Sequence, residues 1–381
     1  MRKLIFCSEA IVLLLLFFLL LTSPQTAFDG AMRGIKLWAL TLVPSILPFL
    51  ILAEILLSSG LVGYLGKFLE PLMRPLFHLP GSCGFGVALG FTSGFPMGAV
   101  AASSLVRNNL CSPEQAARLA AFTNNSSPLF LLAAIAVGLL NRPEVGIVLL
   151  FAHYGANLLL GLILGRFSPK PPPQPKQALH LNSQSLGSML SQSVRQGLTS
   201  ILNIGGFVTL FSVIIALLEQ AGFFDIFNLL WQPLLNWLHF PQTTAQGLSF
   251  GMVEMTLGVQ ETASGEASLL VKLLLISFIL GFSGLSVQAQ VCAILAQENI
   301  SGKYFLLLRP LHGLLSALLT LPLFYFLYSH PQEVSLSFNE AVTSSPILSS
   351  FFITFLPLAL LMLTFLFIAL LKLWYKWLCR L

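Results

Sequence analysis

At 381 residues the chain is long enough for several structural units, yet 56% of it is hydrophobic and only 9% is charged; soluble domains carry about 25% charged residues. The formal charge of +5 is scattered near the ends of apolar runs, so it describes membrane topology and not a nucleic-acid-binding face. The five cysteines (Cys7, Cys83, Cys111, Cys292 and Cys379) lie far apart, without CxxC or metal-ligand spacing, and are read as buried thiols.

Apolar stretches of roughly 18 residues or more recur along the chain, each long enough to cross a bilayer. Leu4 to Thr22, behind Arg2 and Lys3, has the pattern of a signal peptide, but the run is long and no clear A-x-A site follows, which favours an uncleaved first transmembrane helix. Arg33 to Ser59 is a second span, kinked by Pro44 and Pro48, with Glu54 near its end. Gly60 to Pro80, carrying Lys67, Glu70 and Arg74, is amphipathic and interfacial. Gly81 to Leu105 is too interrupted for a simple span and reads as a re-entrant hairpin around Thr92-Ser93-Gly94. Ser112-Pro113-Glu114 starts a helix with an N-cap, a first-position proline and a first-turn acid. That helix breaks at Asn124-Asn125-Ser126-Ser127-Pro128 and resumes over Leu129 to Leu140. Glu144 to Gly165 is a further span, holding His153 and Asn157.

A proline-rich, basic linker (Arg166 to Ser185) follows; it is extended, and its positive charge places it on the cytoplasmic side. The second half opens with an amphipathic stretch, Leu186 to Ser200, and a span, Ile201 to Leu218. Phe223 to Phe240 resembles the earlier interfacial stretch, and Thr243 to Leu257 is interrupted by Gly247, Gly251 and Glu254. Leu269 to Leu280 is helical, then breaks over Gly281 to Gln290. Tyr304 to Tyr328 is a span containing Arg309 and His312, which share a helix face. A polar loop, Ser329 to Ser349, leads to a last span, Ile353 to Leu371. The expected count is about eight to ten membrane segments. The chain divides into an N-terminal helix (1–29), a first unit (30–166), a linker (167–185), a second unit (186–328) and a C-terminal loop and helix (329–381).

The two units align. Gly60 and Pro71 match Gly222 and Pro233; Leu76-Phe-His-Leu-Pro80 matches Trp237-Leu-His-Phe-Pro241; Gly90 matches Gly251; and the break at Asn124 falls opposite the break after Leu280. Paired interrupted segments in two repeats mark secondary transporters, whose site lies at the repeat interface near the midplane. The expected fold is an all-α polytopic membrane protein of two repeats, inverted if each has an odd number of crossings.

Ser93-Gly-Phe-Pro-Met-Gly98, Glu114, Asn124-Asn125 with Pro128-Leu-Phe130, Glu254 with Gly258, and Gly284-Leu-Ser-Val-Gln-Ala-Gln290 together resemble the sporulation integral membrane protein family called YlbJ or SpoVV, and the broader group with the nucleoside-recognition "gate" domain. The resemblance runs over roughly residues 30 to 328. Val100 stands where that pattern often has a basic residue, and Gln288 where it often has His. The resemblance implies movement of dipicolinic acid across the outer forespore membrane during endospore formation. It also implies re-entrant hairpins similar to those of concentrative nucleoside transporters.

The candidate substrate-binding residues are Thr92, Ser93, Gly94, Asn124, Asn125, Ser126, Ser283, Ser286, Gln288 and Gln290. Asn124 to Ser126 flank a half-helix N-terminus that favours anions, and two adjacent Asn at membrane depth are costly without a purpose. The bland reading of each is backbone satisfaction at a kink or turn. Glu254 is the first candidate for coupling to H+ or Na+, against an ion pair with Arg118 or Arg309; Glu54 is the second, against an interfacial or paired role. Gly281-Phe-Ser-Gly284 with His153-x-x-x-Asn157 and His312 also matches the short motifs of rhomboid-type intramembrane proteases, but the spacing from Asn157 to Ser283 is far too long for that compact core. No P-loop, HExxH or phosphate cradle occurs, so no cofactor is expected. The expected partners are a small anionic solute, membrane lipid and, as an open alternative, a second copy in a homo-oligomer, but no nucleic acid. A nucleoside carrier and a non-transporting spore-envelope assembly protein are the remaining alternatives.

Overall fold

The computed structural model describes residues 14–59, 61–169 and 186–328, which are helical with no β-strand among them. The predicted last span and the polar loop before it lie outside the described residues.

The first helix, α1 (Leu14–Thr22), bends by 103° into the next at Ser23-Pro24. Proline fits the first helical position and cannot continue the preceding ladder. From Pro24 the chain runs without interruption through α2 (Pro24–Leu37), a π-wound turn (Trp38–Leu42) and α3 (Val43–Ser58). Residues 24–29, grouped by sequence with the N-terminal helix, lie in α2. Both α2 and α3 pack on the 35-residue helix α9 (Leu186–Gln220), where the Trp38 indole donates to the Ile201 carbonyl at 2.8 Å.

Two helical units follow with the same element order. In the first, the amphipathic α4 (Leu61–Phe77) leads into a hairpin of α5 (Cys83–Ser93) and α6 (Met97–Arg107). Next come α7 (Pro113–Thr123), a π-wound helix (Phe130–Leu139) and α8 (Val145–Arg166). In the second, α10 (Phe223–Trp237) leads into a hairpin of α11 (Thr244–Val253) and α12 (Met255–Ser264), then α13 (Leu269–Phe282), α14 (Gly284–Ala296) and α15 (Lys303–Tyr328). The aligned histidines at the ends of α4 and α10, His78 and His239, both adopt left-handed backbone, with φ of 49° and 57°. Apart from α2 and its π turn, the more extensive contacts between the halves come in exchanged pairs. Helix α6 meets α14 as the π-wound helix meets α12; α7 meets α15 as α13 meets α8; and α3 meets α9, and α8 meets α15, across the middle.

Local chemistry explains the joints. At the start of α7 the Ser112 hydroxyl accepts from the Gln115 N–H at 3.2 Å, and Gln115 reaches back to the Ser112 N–H at 2.9 Å, a reciprocal cap. The Glu70 carboxylate holds the entry to the first hairpin, taking the Gly81 N–H at 2.6 Å and the Arg74 guanidinium at 3.0 Å. The hairpin then lies flush on α7, because a Cβ at Gly90 would stand 2.0 Å from the Thr123 carbonyl oxygen.

Among the described residues four helical stretches are long and apolar enough to span a membrane: Val145–Arg166, Gly187–Gln220, Leu269–Ala296 and Lys303–Leu327. The bent pair Leu14–Thr22 and Pro24–Leu40 makes five if it counts as one. The expectation of eight to ten membrane segments took in re-entrant and broken stretches and a last span that lies outside the described residues. Helices of 11 residues, such as α5, α6 and α7, reach only about 16 Å, half of a hydrocarbon core of about 30 Å.

Candidate functional site

Four helix breaks meet in the interior. The first, between α5 and α6, passes through Gly94 (φ 83°) and Pro96. The second is Asn124–Ser127, between α7 and the π-wound helix. The third is the single extended residue Glu254, between α11 and α12. The fourth is Ser283, left-handed at φ 67°, between α13 and α14. The first break rests on the second, since a Cβ at Gly94 would lie 2.8 Å from the Ser127 nitrogen. The third rests on the fourth: a Cβ at Gly284, itself at φ 66°, would lie 2.9 Å from the Met255 nitrogen. The two halves touch where the Ser126 hydroxyl donates to the Met255 sulfur at 3.6 Å.

The second break is the most heavily tied. The Asn124 side chain accepts from the Ala99 N–H at 3.1 Å and donates to the Ala120 carbonyl at 2.7 Å, stitching the start of α6 to the end of α7. The Tyr154 hydroxyl lies 2.7 Å from the Phe91 carbonyl and 3.0 Å from the Ser126 carbonyl, bracing the first two breaks from α8. The fully buried Arg309 guanidinium donates to the carbonyls of Ala121 at 2.6 Å and Asn124 at 3.1 Å. A cation on the last carbonyls of a half-helix is favourable there. Arg309 also faces Asn157 Oδ1 at 3.3 Å and His312 Nδ1 at 3.2 Å. His312 and His153 bring their rings to 4.6 Å.

The predicted residues divide by role. Asn124, Asn125, Ser126, Gly94 and Ser283 are brought together at the breaks, all buried. Thr92 turns its hydroxyl back to the Ala88 carbonyl at 2.8 Å, in its own helix, and Ser93 lies 3.5 Å from that hydroxyl. The predicted break over Gly281 to Gln290 is confined to Ser283; Ser286, Gln288 and Gln290 stand on the regular helix α14, which two left-handed residues suffice to start. Gln288 donates to the Phe282 carbonyl at 2.9 Å, closing a backbone acceptor left open by the break.

The Glu254 carboxylate caps α12, accepting from the Leu257 N–H at 2.8 Å. Among the described residues it forms no ion pair with Arg118 or Arg309. Glu54 is away from the breaks. It lies in a polar cleft between α3, α6, α9 and α14, 3.0 Å from Arg107 and 2.7 Å from the Ser104 hydroxyl, with Glu298 3.8 Å from the same guanidinium. Among the described residues no three His, Cys, Asp or Glu gather as a metal site.

The protease geometry does not form. The Ser283 hydroxyl is buried without a partner, while His153 Nε2 takes the Ser126 N–H at 3.1 Å and both His312 nitrogens are engaged. Sequence reasoning singled out Arg309, His312, His153 and Asn157 but did not join them to the Asn124–Ser127 break, and it missed Tyr154. The available signal was polar residues at i,i+3 and i,i+4 inside otherwise apolar helices.

The family model described as Gate, nucleoside recognition, matches residues 39–162, the segment that includes the first hairpin and the second break. The chain is 38% identical to the sporulation integral membrane protein YlbJ of Bacillus subtilis, over 82% of each chain. It is 27% identical to an uncharacterized protein of Alkalihalophilus pseudofirmus, over 39% of this chain and 31% of that one. No solved structure matches. An integral membrane protein with these apolar helices, and with that identity over that length, belongs to the YlbJ family of sporulation integral membrane proteins.

Proposed function

We propose that this chain is a secondary carrier of a small organic anion, with its site at the junction of the four helix breaks. The observation that carries the reading is the excess of donors there. Asn125 Nδ2, His153 Nδ1 and the Ser283 hydroxyl are buried without partners, and the first turn of α14 has no side-chain cap. Buried donors are ordinarily satisfied, and helix N-termini favour negative charge. A carboxylate supplies acceptors only. The recurring element order and the exchanged contacts between halves support two inverted repeats, which gives such a site two alternating routes of access.

The resemblance to the sporulation family makes dipicolinate the first solute to test, carried across the outer forespore membrane. Glu254, on the third break, is the candidate for coupling to an H+ or Na+ gradient. The printed description of the Gate family favours a second reading, a nucleoside carrier. Purified protein in proteoliposomes with an imposed proton or sodium gradient separates them. Saturable uptake of labelled dipicolinate, not competed by uridine, supports the anion. Uridine uptake alone supports the second reading, and no uptake of either supports a structural role in the spore envelope.

A further inference from the structure

Arg309 has N–H donors and no acceptor, so every group it touches must accept. This fixes the polarity of the side chains behind the second break. Asn157 turns its Oδ1 to the guanidinium at 3.3 Å, so its Nδ2 faces Asn125, whose Oδ1 accepts at 2.6 Å. The Asn125 orientation follows, and its Nδ2 ends the chain, buried and without an acceptor. On the other branch His312 Nδ1 accepts from Arg309 at 3.2 Å, so the ring proton sits on Nε2 and goes to the His153 backbone carbonyl at 2.9 Å. The Ser126 N–H, 3.1 Å from His153 Nε2, makes that nitrogen the acceptor. The proton of His153 is therefore on Nδ1, which is likewise buried without an acceptor. Both branches end at the second break: Asn125 lies in it, and His153 Nε2 is bonded to the N–H of Ser126 beside it.

We propose that Asn125 Nδ2 and His153 Nδ1 are paired ligand-facing donors that take the acceptor atoms of one carboxylate-bearing solute, with Arg309 as the positioning residue that sets their polarity. The proposal rests on the carrier reading above and deepens it. A network rooted in a cation polarises its outer donors toward a negative ligand. A carboxylate accepts two hydrogen bonds without bringing a donor of its own, whereas a solute with exposed N–H groups would set donor against donor.

The test uses two variants that keep an acceptor for each internal bond and take the outer donor away. Asn125→Asp retains an oxygen for Asn157 and puts a second oxygen where Nδ2 stood, and His153→Met leaves a thioether acceptor for the Ser126 N–H with no N–H of its own. Dipicolinate uptake by the full chain in proteoliposomes is measured beside thermal unfolding of the same samples. With wild type active, KM is expected to rise roughly 10-fold or more in each variant, as loss of a hydrogen bond to a charged group implies, with kcat and the unfolding temperature little changed. An unchanged KM in either variant overturns the paired donors and leaves the carrier reading standing. A lower unfolding temperature with an unchanged KM does the same and makes the residues structural. If the wild type takes up no dipicolinate, the carrier reading fails by itself. The pairing is then read from imidazole 15N spectra of detergent-solubilised protein titrated with dipicolinate, with His153→Met identifying the signal. A shift at Nδ1 that saturates retains the proposal as a binding site, and no shift ends it.

Discussion

Arg309 carries a full charge into the interior with no carboxylate beside it among the described residues. What stabilises it is a set of acceptors: the Ala121 carbonyl near the end of α7, the Asn124 carbonyl that opens the break, Asn157 and His312. Arg309→Met leaves those acceptors without a donor. At roughly 1–3 kcal/mol for each buried group left unsatisfied, the expected loss is at least about 3 kcal/mol, seen as a fall of several degrees in the thermal unfolding of detergent-solubilised protein. An unchanged transition would mean that the guanidinium does not hold the break. The two candidate coupling carboxylates separate at the same scale. Glu254 stands on a break with no basic partner among the described residues, whereas Glu54 is committed to Arg107 and Ser104. Glu254→Gln is expected to abolish the dependence of uptake on an imposed gradient, and Glu54→Gln to preserve it. The opposite pattern would move coupling to the cleft around Arg107.

The half-length helix is the element that decides this fold. Two of them back to back in each hairpin bury Gly, Ala and Ser against neighbouring backbone, and Gly90 on α7 is the tightest such contact in the first hairpin. Gly90→Val forces the hairpin off the Thr123 carbonyl. Overpacking of this kind costs about 1–3 kcal/mol, and because the displaced strut carries Gly94, dipicolinate uptake is expected to fall further than stability does. Uptake at the wild-type level would show that the hairpin need not seat on α7.

Much at this scale was legible in the sequence, for identifiable reasons. The start of α7 was written in Ser112-Pro113-Glu114, although the reciprocal bond from Gln115 was not read there, and the breaks were marked by glycine, proline and asparagine clusters in apolar surroundings. Other features left no local trace. Ser283 and Gly284 concentrate all the left-handed backbone of the fourth break in two residues, so Ser286, Gln288 and Gln290 read as unwound although they are helical. The link from Arg309 to Asn124 spans 185 residues of sequence, and no periodicity in either helix encodes it. Hydropathy measures apolarity and not reach, so it gives the number of apolar segments and not which of them cross.

Among the described residues, one hairpin, one broken helix and two longer helices from each half surround one interior junction, with α3 against α9 and α8 against α15. Such an arrangement gives one site two routes of access if the halves alternate between two packings, which is the central claim for this chain. Counterflow tests it most directly. Proteoliposomes are loaded with unlabelled dipicolinate and diluted, without any ion gradient, into a trace of labelled dipicolinate. A carrier exchanges the two, so label accumulates transiently inside above its outside concentration, and loading with uridine gives no accumulation. Label that only equilibrates, or that enters equally with either solute inside, would contradict an alternating anion site at the four breaks.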